Sequence, residues 1–132
     1  MNDYEINLLI DAARAAADRA YVPYSEFPVG AAVMCEDGTI YAGCNVENAS
    51  YSATVCAERV AIFKAVSDGN YNITALAVYS ENGQAFPCGT CLQVMAEFNK
   101  NMRVFVVSDD DMNAFDLTDL LPYPFGMGKE EI

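Results

Sequence analysis

Cys56-Ala57-Glu58-Arg59 and Pro87-Cys88-Gly89-Thr90-Cys91 are the two segments of this chain whose residue types could do chemistry together. Zinc takes thiolate, imidazole or carboxylate ligands, and a catalytic zinc keeps three protein ligands plus one open position for water. The chain has no histidine, so a thiolate site must be built from cysteine alone. Cys56, Cys88 and Cys91 supply three sulfurs. Glu58 adds an acid close to the metal that is not needed as a ligand. The pattern points to zinc-dependent hydrolysis rather than a closed structural clip.

Glu58 lies two residues from Cys56, so the two side chains do not share a helix face. That leaves the carboxyl free to move protons. A zinc-activated water with its pKa lowered to about 7 needs a base to deprotonate it and an acid for the leaving group, and one glutamate can do both in turn. Three thiolates around one Zn²⁺ leave the site net negative, which blunts the metal as a Lewis acid. Arg59, three residues after Cys56, shares its helix face and can hydrogen-bond the sulfurs, withdrawing charge. Alone, Cys88 and Cys91 would also suit a redox pair; the third cysteine with its own glutamate argues for metal. Cys35 and Cys44, at the ends of apolar runs, read as buried small hydrophobes.

These residues need elements to hold them. Asn2 with Glu5 forms a capping-box signature, and Ile6, Leu9, Ile10, Ala13 and Ala17 recur at helical spacing to about Ala20. Residues 29–35 and 40–46 are apolar runs joined across Asp37-Gly38, a hairpin signal. A helix is predicted over 56–66, with Gly69 suited to the left-handed position beyond its end. Strands follow over 73–80 and 102–107, with a helix over 89–98 between them. Asp109 to Asp111 reads as a turn, and 115–121 as a short helix or irregular segment. Two of the three cysteines thus fall where helices begin, where free N–H groups and the helix dipole stabilise thiolates. The order of elements argues for an α/β sheet with helices on both faces.

Bulk properties narrow the partners. A length of 132 residues suits one domain spanning 1–132, near the size where oligomerisation supplements a single core. The hydrophobic share of 53% leaves room for a subunit interface. No apolar run approaches the roughly eighteen residues that cross a bilayer, and the acidic start of the chain does not resemble a secretory signal. Five cysteines without an export signal fit a reducing compartment, so a cytoplasmic location is expected. Seven basic against nineteen acidic residues give a net charge of −12, which disfavours nucleic acid and anionic membranes. A small neutral or cationic substrate fits better.

Cys-Ala-Glu-Arg followed by Pro-Cys-Gly-x-Cys resembles the zinc signature of the cytidine deaminases. Residues 20–32, 43–51 and Leu120-Leu121-Pro122 with Phe125 are similar to further segments of their small, single-domain branch. The resemblance implies a three-layer α-β-α sandwich with a mixed sheet of about five strands. It implies one zinc per chain on Cys56, Cys88 and Cys91, with Glu58 handling protons as water adds to C4 of cytosine. Phe27 would pack on the pyrimidine, Asn45 and Glu47 would hydrogen-bond the ribose, and the Ala57 N–H would meet the carbonyl at C2. It also implies a homotetramer in which Tyr51 and Phe125 complete neighbouring sites, and a role in pyrimidine salvage. Leu92 departs from the family pattern, which has arginine there.

Two other readings compete. A deaminase of a cytosine-containing antibiotic, of the blasticidin-S type, shares the zinc pattern and would suit the acidic charge. Arg59 and the run Asn45 to Tyr51 look instead like the nucleoside branch. A non-catalytic structural zinc domain would need Cys35 or Cys44 as a fourth ligand.

Overall fold

Asn2 starts the first helix, α1 (Asp3–Ala17), through a capping box. Its side chain accepts from the Glu5 amide at 2.9 Å, and the Glu5 carboxylate accepts from the Asn2 amide at 3.1 Å. The computed structural model from which this is read describes residues 1–127. Strand β1 (Gly30–Cys35) turns into β2 (Ile40–Cys44) across Gly38, whose φ of +87° is the left-handed conformation that favours glycine. A short 3₁₀ turn at Tyr51–Ala53 precedes α2 (Ala57–Ser67). Then come β3 (Ile73–Tyr79), α3 (Gly89–Phe98), β4 (Arg103–Val107), β5 (Met112–Asp116) and α4 (Leu117–Leu120).

The strands form one mixed sheet in the order β2-β1-β3-β4-β5. Only β3 and β4 pair in parallel, because α3 crosses between them; the other neighbours are antiparallel. Strand pleating splits the apolar residues between two faces. Ala31, Val33, Leu76, Val78, Val104 and Val106 join the core with α2 and α3, whereas Ala32, Met34, Ala75, Ala77 and Phe105 meet Leu9, Ile10, Ala13 and Ala17 of α1. The helices therefore cover both faces of a five-stranded sheet.

Small residues set how close the helices come. A Cβ on Gly43 would lie 2.7 Å from the backbone nitrogen of Ala61, so glycine in β2 is what lets α2 settle against the sheet. That contact matters for function, since Cys56 is the N-cap of α2.

The elements differ from the sequence reading in three places. Helix α1 ends at Ala17 rather than near Ala20, and residues beyond it turn so that Tyr21 can bridge Val46. Strand β2 stops at Cys44, two residues short, because Asn45 is recruited to brace a loop. Residues 112–116 form β5, where a turn and an irregular segment were expected. This is an edge strand with four of five residues exposed, so it lacks the apolar alternation that marks a strand. Its pairing with β4 makes it a strand, not its own side chains. Among the described residues, no helix is long and apolar enough to cross a membrane.

Candidate active site

Cys56 and Cys88 occupy the N-cap positions of α2 and α3, with extended backbone at φ −70° and −73°. Neither makes a side-chain cap hydrogen bond, so both sulfurs are free to face a shared point. Cys91 sits one turn into α3, fully buried. The Cys56 and Cys88 sulfurs are 4.0 Å apart, and all three sulfurs lie within 4.8 Å of one another. Tetrahedral zinc with Zn–S bonds of about 2.3 Å spaces its sulfurs about 3.8 Å apart, so the three thiols fit that ion with little movement. Among the described residues, these three form the group of metal-ligating side chains close enough to share an ion. Cys35 is buried in the core and Cys44 is half-buried on β2, so neither completes a fourth corner.

The thiols polarise one another. A hydrogen bond from the Cys91 thiol, helped by Arg59, pulls the Cys56 thiol down to about 5. The same bond, together with burial, pushes the Cys91 thiol well above the usual range. A guanidinium nitrogen of Arg59 reaches the Cys56 sulfur at 3.5 Å. Its Nε is buried without a hydrogen-bond partner among the described residues, which leaves the cluster as its main counter-charge.

Glu58 occupies the first turn of α2 and is only 4% exposed. Burial pushes its carboxyl up to about 7, and the neighbouring Cys56 thiolate adds to the shift. Ala57, the first residue of α2, is fully buried, and its N–H is one of the helix-start donors without an intrahelical acceptor.

A second group is tied to the start of α2. Val46 and Val55 exchange backbone hydrogen bonds at 3.0 Å in an antiparallel bridge, which carries Asn45 opposite Cys56 and Glu47 opposite Thr54. The Asn45 amide donates to the Phe27 carbonyl and accepts from the Val29 amide, both at 2.9 Å. It fixes the loop that presents the half-buried Phe27 and retains one N–H and one lone pair. The Glu47 carboxylate accepts from the amides of Tyr24 and Ser25 at 3.0 and 3.1 Å, and from the Ser25 hydroxyl. The Ser25 hydroxyl and these amides hold its pKa below the usual carboxylate value. Tyr24, Ser25, Glu47, Tyr51 and Thr54 line a concavity of about 360 Å³. The sequence reading does not single out Ser25, although it lies in the loop between Pro23 and Pro28 and within the family-like segment 20–32.

Tyr51 and Phe125 stand 79% and 71% exposed, so within one chain neither ring packs over the cysteines. Phe86, two residues before Cys88, packs on Phe115 of β5 with ring centroids 5.6 Å apart, which steadies the approach to α3. Leu92 is buried against the core.

The chain matches the family model described as the cytidine and deoxycytidylate deaminase zinc-binding region over residues 4–108. It is 50% identical over 131 residues to a cytidine deaminase of Sporosarcina psychrophila, covering 97% of this chain and 95% of that protein. With a cytidine deaminase of Mycobacterium tuberculosis it shares 41% identity over 128 residues, covering 96% and 94%. Its fold matches the crystal structure of cytidine deaminase from Burkholderia pseudomallei at a TM-score of 0.86 and 43% identity, covering 95% of this chain and all of that one. The three convergent sulfurs and these likenesses agree, and the chain belongs to the cytidine and deoxycytidylate deaminase family of zinc-binding domains.

Proposed function

We propose that this chain is a zinc-dependent deaminase that converts cytidine or deoxycytidine, with water, to the uridine product and ammonia. The observation that carries the reading is a buried carboxyl, Glu58, beside three clustered thiols that, among the described residues, supply three of the four corners zinc takes. A closed structural site has no use for such an acid. Cys56, Cys88 and Cys91 would hold the ion. When bound, zinc supplies Lewis acidity that lowers the pKa of water to about 7.

The remaining steps belong to the chain. Glu58 takes a proton from water as its oxygen adds to C4, and passes that proton to N3. It then takes the second proton from the added hydroxyl and gives it to the amine as the C–N bond breaks. Arg59 draws negative charge off the thiolates, keeping the site electrophilic. The Ala57 N–H donates to the carbonyl at C2, and Phe27 packs on the pyrimidine from the loop braced by Asn45. Glu47, already ionised by its three donors, accepts from a ribose hydroxyl, with the free N–H of Asn45 beside it.

The exposed rings of Tyr51 and Phe125 suit a homotetramer of single-domain subunits, each ring completing a neighbour's site. A place in pyrimidine salvage within the cytoplasm fits the same reading. The test is loss of absorbance in the cytidine band with purified protein and zinc measured per chain. Turnover that stops on chelation and returns with Zn²⁺ supports the proposal. One zinc per chain with no turnover of cytidine or deoxycytidine removes the nucleoside assignment and turns attention to other cytosine-containing substrates.

A further inference from the structure

Pro122 to Met127 run without helix or strand beside a groove of about 400 Å³ whose walls include Ala96, Leu117 and Leu121. Prolines at 122 and 124 restrict the backbone. The segment is nevertheless pinned at one residue. The Phe125 amide donates to Gln93 Oε1 at 3.0 Å, and Gln93 Nε2 donates to the Phe125 carbonyl at 2.8 Å. One side chain satisfies both backbone groups of a residue 32 positions away, as a strand partner would.

The clamp holds the backbone while the ring stays 71% exposed. A segment docked only for stability would turn its aromatic ring inward, since burial of a phenyl group is its largest available gain. Here the backbone is fixed and the ring is left largely exposed, an arrangement that removes in advance part of the entropy cost of placing it. Gln93 lies two residues beyond Cys91, so α3 with its N-cap Cys88 carries two of the three sulfurs and also the anchor.

We infer that Gln93 is a positioning residue, which sets the Phe125 ring in register with the metal-bearing helix and acts on substrate binding through that ring. The inference rests on the reading above that Phe125 completes a neighbouring subunit's site. Both ends of the Gln93 amide are engaged by the Phe125 backbone, so its effect is exerted through that residue and belongs in KM, with kcat little changed.

The experiment compares Gln93→Leu, Gln93→Glu, Phe125→Ala and the Gln93→Leu/Phe125→Ala double variant, with KM, kcat and zinc content measured for each. Loss of both clamp hydrogen bonds in Gln93→Leu raises KM for cytidine about tenfold, with zinc per chain unchanged. Gln93→Glu keeps an acceptor for the Phe125 amide and loses the donor, so its KM falls between wild type and Gln93→Leu. Because Gln93 acts through Phe125, the double variant matches Phe125→Ala alone. A raised KM in Phe125→Ala beside a wild-type KM in Gln93→Leu overturns the inference, and so do single effects that multiply in the double variant. A wild-type KM in Phe125→Ala overturns the reading of Phe125 and the inference with it. Should Gln93→Leu not fold, Gln93→Glu against Phe125→Ala decides by the same comparison.

Discussion

Arg59 extends a guanidinium nitrogen to 3.5 Å from the Cys56 sulfur, while its own Nε is buried with no hydrogen-bond partner among the described residues. Burying part of a guanidinium is costly unless its charge is answered, and here the cysteine cluster answers it. Leu92, the residue after Cys91, is packed into the core and offers the sulfurs no charge.

Arg59→Gln therefore weakens zinc binding by about 10–100-fold, the usual effect of losing a group that supports metal ligands. Competition against a chromophoric chelator measures this. An unchanged zinc affinity would mean that the Cys56 contact is incidental.

Glu47 makes loop stability depend on pH. Its pKa is depressed, chiefly by the Ser25 hydroxyl, so its contribution is full above the unfolded-state value of about 4.3 and is lost as pH falls through the lower folded value. Ser25→Ala removes that donor. Denaturant midpoints of wild type and Ser25→Ala then differ near pH 7, and the gap closes at the acid end. A gap that stays constant with pH would place the serine's effect elsewhere.

Gly43→Ala forces a methyl to 2.7 Å from the Ala61 backbone nitrogen and against Val60. The nearest atoms include backbone, so α2 must shift, and the overpacking costs about 1–3 kcal/mol. Because Cys56 and Glu58 ride on α2, kcat also falls. Chemical unfolding followed by a cytidine assay separates the two effects, and full activity at lowered stability would show that the site tolerates the shift.

The chemistry was legible in the sequence because it depends on residue types at short spacing. Cys56-x-Glu58-Arg59 and Cys88-x-x-Cys91 put three thiols, a carboxyl and two helix starts within a few positions. The helices at 57–67 and 89–98 are legible too, since Ser67-Asp68-Gly69 at the end of the first and Pro87 before the second mark their limits locally. Strand β5 was not legible, because Met112 to Asp116 show no alternation and owe their conformation to β4. Asn45 was read only through its expected contact with ribose, whereas its bonds to Phe27 and Val29 span 18 and 16 residues that no local pattern connects. The Gln93 clamp on Phe125 was hidden for the same reason.

Glu58 as the proton carrier beside the three cysteines is tested most directly by kcat for cytidine in Glu58→Gln, with zinc quantified in the same sample. The amide matches the carboxyl in size but cannot move the protons. Retained zinc with kcat reduced by about 10²–10⁴-fold or more is the predicted result. Retained zinc with kcat near wild type would contradict the assignment, because protons would then be moving through a group other than the carboxyl buried beside Cys56.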